Sequence, residues 1–315
     1  MGKSSRTKAR TAARSDVQSP GEVGPRQPCP CGSGRRYKAC HGDPSGPPPL
    51  FRGRPFEGFS GETDLIALRE FVPAATSALK VRSDPQRSLT LCTLLPGAAP
   101  AMVRENGAIW LGLQVQHGYG DPSRDLAAVL TAALEAEPGS MVGLTEDPGE
   151  GPSFQDLVEG DFAVTVHDGF DFWLSDVDDT DGSMASVLEQ ANGAASPTRR
   201  LEGVGAAYWT ALGEREFLRW VRPEDEDALL DALAILHAAG EDHLVEGGKL
   251  IGMFRAHGVL VPVWDLPAGT GGEALEAPVV DLEARLTALL ASPRPLETEE
   301  RSVRAGLASR QVTIR

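Results

Sequence analysis

Three of the four cysteines, Cys29, Cys31 and Cys40, fall within twelve residues, and His41 follows directly. That layout is not an extracellular disulfide framework. Thiolates and an imidazole placed so close together read as metal ligands. Structural zinc sites are closed by four protein ligands in sets such as Cys3His, so this run can hold one Zn²⁺ by itself. The single-residue gap between Cys29 and Cys31 forces a sharp bend, and Gly32, Ser33 and Gly34 supply the backbone freedom for it. Directly downstream, Asp43-Pro-Ser-Gly-Pro-Pro-Pro49 favours extended polyproline geometry and cannot enter a helix. The cluster is therefore cut off from whatever follows, and any large hydrophobic core has to form after it.

Charge divides the chain at the same place. Met1–Arg54 holds 11 Lys/Arg against 3 Asp/Glu, a net of +8, which leaves −23 of the total −15 on Pro55–Arg315. Self-repulsion keeps such a body soluble and disfavours nucleic acid over most of its surface, whereas the basic arm can reach phosphate. The first 27 residues have charge but no apolar core of a signal peptide. No window approaches the roughly 18 apolar residues of a membrane span, so a cytoplasmic protein without a transmembrane segment is expected. Met1-Gly2-Lys3-Ser4-Ser5-Arg6 fails as an acylation signal because Arg6 stands where Ser or Thr is required.

The stretch Pro28-Cys-Pro-Cys-Gly-Ser-Gly-Arg-Arg-Tyr-Lys-Ala-Cys-His-Gly42 closely resembles the SEC-C motif, the zinc module at the C-terminus of the protein-translocation ATPase SecA. The four ligand positions of that motif fall on Cys29, Cys31, Cys40 and His41, with the glycine turn and the basic-aromatic segment Arg35, Arg36, Tyr37 and Lys38 in place. The resemblance implies zinc and a contact with a protein, ribosome or acidic lipid, and it implies no reaction; with the charge split and the Pro-rich linker, the expected function is a non-catalytic zinc-bearing adaptor that attaches to a protein, ribosome or RNA. The chain departs from SecA in having no G-x-x-x-x-G-K-[ST] loop and in carrying the module near its start. The remainder is similar to an uncharacterised bacterial family that bears this module at its beginning.

Periodicity in the remainder points to an α+β fold. The expected organisation is a disordered basic tail over 1–27, the zinc module over 28–42, a Pro/Gly-rich linker over 43–60, an acidic domain over 61–291 and a C-terminal extension over 292–315. Thr63 or Asp64 should cap a helix bearing Leu65, Leu68 and Phe71, with a second helical piece continuing to Leu79. Three strand-strand-helix units, possible duplicates of one another, should follow. The first comprises Ser88–Leu95, Ala108–Val115 and a helix from Ser123 to Glu137. In the second, Phe162–Val166 and Phe170–Leu174 form a hairpin across His167-Asp168-Gly169, before a helix over Met184–Gln190 capped by Ser183. The third comprises Ala206–Leu212, Glu216–Val221 and a helix begun by Pro223 and ended by Gly240. Trp110, Trp173 and Trp220 each fall on the second strand of a unit. A strand over Gly258–Trp264 and a helix over Val280–Leu290 complete the expectation.

Weaker constellations weigh against catalysis. Asp176-Val-Asp-Asp-Thr-Asp-Gly182 places its glycine one position late for a calcium loop and lacks the closing Glu. A metal-dependent enzyme with Asp168, Asp171, Asp176 and Asp178 around His167 is the alternative reading, motivated by carboxylate density alone. His237, His243 and His257 lack metalloprotease spacing and read as helix-end or surface histidines. Cys92, inside Leu89-Thr-Leu-Cys-Thr-Leu-Leu95, reads as a core thiol. Neither a G-x-S-x-G elbow nor a complete G-x-G-x-x-G loop occurs.

Overall fold

The computed structural model describes residue 36 and residues 52–116, 120–145, 148–175 and 184–313. It is an α+β protein with two sheets, one from each half of the body.

The first half opens with α1 (Glu62–Glu70), whose Leu65, Ile66 and Leu68 are fully buried. It continues as β1 (Ala75–Val81), β2 (Asp84–Cys92), β3 (Ala101–Val103) and β4 (Ile109–Gly112). After these come α2 (Pro122–Glu135), β5 (Met141–Val142), α3 (Phe154–Leu157), β6 (Val158–Glu159) and β7 (Val164–Val166). In α2, Pro122 stands at the first helical position and the Asp121 carboxylate accepts from the Ser123 and Arg124 N–H groups, a proper N-cap. The sheet runs β5-β3-β4-β2-β1, and β6 and β7 pair in succession along the free edge of β1. It is mixed, because β2 and β4 are parallel and the other pairings antiparallel.

In the second half, α4 (Ala185–Ala194) leads to β8 (Thr198–Arg200), β9 (Ala207–Leu212), β10 (Arg215–Trp220) and α5 (Glu226–Ala239). There follow β11 (Lys249–Ala256), β12 (Val259–Leu266), α6 (Glu276–Ala291), α7 (Thr298–Ser309) and β13 (Gln311–Thr313). The order is β13-β11-β12-β10-β9-β8, antiparallel except where β13 joins β11. Asp225 caps α5 by accepting from the Ala228 N–H, and Gly240 ends it in the left-handed conformation. The β11–β12 turn is His257-Gly258 with φ +46° and +86°, the two positive values that a tight type I′ turn demands.

One face of the second sheet, with Ala207, Leu218, Trp220, Leu260 and Trp264, packs on α5, α6 and α7. Its other face gives Tyr208, Val259 and Val261 to a core shared with α1, α2 and the inner face of the first sheet. The outer face of the first sheet carries a smaller cluster of Cys92, Trp110, Phe170 and Trp173, covered by α4.

Several expectations need correction. Helix α1 begins at Glu62 with Gly61 as its N-cap, so neither Thr63 nor Asp64 caps it, and α5 begins after Asp225, so Pro223 does not start it. The piece running to Leu79 is strand β1, where Ala75, Ser77, Leu79 and Val81 are buried while Ala78 and Lys80 are exposed, a period of two that helical geometry cannot give. Asp171–Leu174 is a 3₁₀ turn, so no hairpin spans His167–Gly169 and Trp173 is not on a strand. Phe170 and Trp173 both point inward three residues apart, which a three-residue turn allows and a strand forbids. Strand β11 was not anticipated; its pattern is broken by a bulge at Ile251 that leaves this residue exposed. Finally, the segment set apart after residue 291 supplies α7 and edge strand β13, and so belongs to the second sheet and its core.

Candidate metal centre and the charged seam of the body

The four predicted zinc ligands, Cys29, Cys31, Cys40 and His41, lie outside the described residues, as do Arg35, Tyr37 and Lys38; Arg36 is described and exposed. What is fixed is where this segment joins the body. Arg52 donates from its backbone N–H to the Gly120 carbonyl (3.5 Å) and from Nη1 to Ser153 Oγ (3.2 Å). Arg54 makes a bidentate pair with Glu62 at 2.6 and 2.7 Å, and a Cβ on Gly258 would meet the Gly53 carbonyl oxygen at 2.5 Å.

Of the carboxylates considered for an enzymatic site, the two described ones do not form a metal-holding group with His167. Asp168 and Asp171 are exposed, while Asp176 and Asp178 lie outside the described residues. The His167 Nε2 sits 2.9 Å from Thr76 Oγ1, and its ring lies against Phe172 with centroids 4.7 Å apart. Burial lowers its pKa, opposed by the charge of Asp168. Asn192 on α4 ties the turn together, accepting from the Phe170 N–H (2.6 Å) and donating to Asp171 Oδ2 (3.4 Å). These are contacts that shape a turn. Among the described residues, no group of three His, Cys, Asp or Glu side chains is placed to hold a metal ion.

The other described histidines are dispersed. His237, at the end of α5, pairs with Asp242 at 2.6 Å, His257 pairs with Glu70 at 2.7 Å across the two halves, and His243 is exposed. Cys92 is fully buried and burial pushes its thiol pKa up, so it is the inert core thiol expected.

Sequence reasoning missed the polar seam between the two halves. Asp64, on the buried side of α1, accepts from Tyr208 Oη at 2.5 Å and from Arg200 Nε and Nη2 at 2.9 and 3.0 Å. That bidentate carboxylate raises the pKa of Arg200, and the pair welds β8 and β9 to α1. Arg69 donates to the Leu113 and Val115 carbonyls, and beside it Glu70 has a lowered pKa: burial pushes it up, and the His257 hydrogen bond together with the charges of His257 and Arg69 outweighs that. No local motif announces such a seam. The one available signal was Asp64 lying between Thr63 and Leu65 at the start of an apolar helix face, where capping is the usual role.

Fold and site together define a two-sheet α+β body preceded by a short ligand-rich segment. Residues 26–43 match the SEC-C motif, a module associated with zinc in general. Residues 55–315 match DUF5926, a family of unknown function, and the chain belongs to that family. No curated protein matches the chain, and no solved structure does. Among the described residues, no helix is long and apolar enough to cross a membrane.

Proposed function

We propose that the protein is a zinc-bearing, non-catalytic adaptor of the cytoplasm. In this reading Cys29, Cys31, Cys40 and His41 hold one Zn²⁺, and Arg35, Arg36, Tyr37 and Lys38 together with the basic tail contact a protein, ribosome or RNA. The acidic body is the platform, joined to the module by the Pro/Gly-rich linker. The observation that carries the reading is the SEC-C match at residues 26–43, on a segment of charge +8 joined to a body of charge −23.

The chemistry of the donor set fits the ion. Three thiolates and Zn²⁺ sum to −1, so Arg35, Arg36 and Lys38 leave a finger with neutral His41 at about +2, complementary to acidic surfaces. Thiolate and neutral imidazole ligands must lose protons to bind, so the metal should be released in acid.

The test compares the full chain with its Cys29→Ser/Cys31→Ser variant. Elemental analysis of the purified, tag-free protein is expected to find one zinc per chain in the wild type and a marked loss in the variant. Pulldown from lysate should recover partners with the former alone, and rising salt should weaken recovery if phosphate is the contact. Absence of stoichiometric zinc from the wild type, or equal partner recovery by both proteins, would overturn the proposal.

A further inference from the structure

Strand β10 sorts its side chains by the period of two. Glu216, Leu218 and Trp220 turn to the helix-backed face, while Arg215, Phe217 and Arg219 lie on the other. In the register of the sheet, Arg219 stands opposite Tyr208 on β9 and Val263 on β12. Its guanidinium carbon is 5.4 Å from the centroid of the Phe71 ring at the end of α1, and that ring meets Tyr208 and Phe254 edge-on at 5.9 and 6.0 Å. Arg219 is therefore a half-buried cation among aromatic rings, at the junction of the two halves.

Burying a charge is unfavourable unless it is paired, and the body obeys this rule elsewhere. Arg54 meets Glu62, Arg200 meets Asp64, Arg255 meets Glu226 and Arg304 meets Asp231. Arg87 donates to three backbone carbonyls, and Arg69 donates to two and lies 3.7 Å from Glu70. Arg219 is different: among the described residues no carboxylate, carbonyl or hydroxyl oxygen lies within hydrogen-bonding distance of its guanidinium. The face of Phe71 attracts the cation but satisfies none of its five N–H donors. Burial alone lowers the pKa of Arg219, whereas carboxylates raise those of Arg54 and Arg200.

We propose that Arg219 is the cationic floor of a small oxyanion-binding site on the inner face of the second sheet, which takes a carboxylate or a phosphate group. A planar guanidinium presents two parallel donors that match either group. The Phe71 ring covers one side of the guanidinium, and the partial burial strengthens the pairing. The acidic body repels anions at long range, so the site selects by local geometry and binds its ligand weakly.

The experiment uses the full chain and two probes, inorganic phosphate and acetate, with chloride as the ionic-strength control. The ¹⁵N resonance of the Arg219 Nε–H is followed by NMR, and the Tm is read alongside. A saturable shift of that resonance with at least one probe is expected, with a rise in Tm that Arg219→Met loses and Arg215→Met keeps. The probe with the lower midpoint identifies the chemical source. No shift with either probe, or an equal rise in Tm for Arg219→Met, would sink the proposal. Should Arg219→Met fail to fold, the wild-type titration decides alone: movement of the Arg215 resonance in step with that of Arg219 means general surface association and overturns the site.

Discussion

The two sheets are finished differently on the sides that face away from their shared core. Behind the second sheet stand three helices, and Trp220, Trp264, Leu229, Leu233, Leu282 and Leu286 are each buried to within 1% of complete. Behind the first sheet stand a 3₁₀ turn and α4, a helix with no fully buried residue that covers Trp110 and Trp173 through the half-buried Leu188 and Ala191. Apolar burial sets local stability, so the second core should open only with the whole body, while α4 should detach at lower cost. The seam of Asp64, Arg200 and Tyr208 couples the halves, but it contacts the shared core and not α4.

The largest effect should come from emptying the deeper side. Trp264 is completely buried, and its Nε1–H donates to the Asp242 carbonyl at 2.7 Å. Trp264→Ala removes that hydrogen bond and leaves a cavity against Trp220, for an expected loss of about 3–5 kcal/mol. The urea midpoint, measured with the m-value, checks this. A loss below about 1 kcal/mol would mean that the second core is not the stronger one.

How much of this contrast could be read from the residues depends on which side is considered. The helix-backed sheet shows itself in the acidic first turn, the leucines at 229, 230, 233 and 236, and Gly240, because the C-cap and a 3.6-residue period agree there, although the helix starts after Asp225 and not at Pro223. The helix of the first unit was legible from the apolar positions of α2, whereas strand β3, between the two expected strands, was not. The thin side was not. Phe170, Phe172 and Trp173 are all β-formers by propensity, yet their packing on Trp110 and Asn192 imposes a tight turn that only tertiary contacts reveal. Helix α7 escaped because its fully buried apolar residue is Leu307, too little to mark a face. The SEC-C motif was legible through its cysteine spacing, whereas the seam joins Asp64 to residues 136 and 144 positions away. Local pattern carries no information on such pairs.

A smaller effect sharpens the contrast from its weaker side. Leu188→Ala trims the main apolar contact of α4 and should cost about 1 kcal/mol, given half-burial of the side chain. Hydrogen exchange should speed up within Ala185–Ala194 and remain unchanged in β10 and β12. If α4 amides exchange only through the global opening in the wild type, the two sides are equally firm and the comparison breaks.

The smallest effect concerns how the two outer helices are begun. In α4, Met184 offers no side-chain cap and the first turn has no acidic residue. In α7, Glu300 accepts from the Glu297 N–H at 2.7 Å and from Arg294 at 2.5 and 2.8 Å. The Arg294 hydrogen bond, followed by that backbone N–H, holds the Glu300 carboxyl at about 2, below its ordinary 4.5. A folded-state value below the unfolded one contributes stability that is present above about pH 4.5 and is lost as the pH falls through about 2. Glu300→Gln should therefore flatten the acid limb of stability between those values, and neutral-pH hydrogen exchange should show faster fraying of the first turn of α7. Exposure of the Arg294 partner keeps the effect small and sensitive to salt. An acid limb of unchanged slope would show that α7 is held by Leu307 and the second core alone, so that burial and not capping separates the two helices.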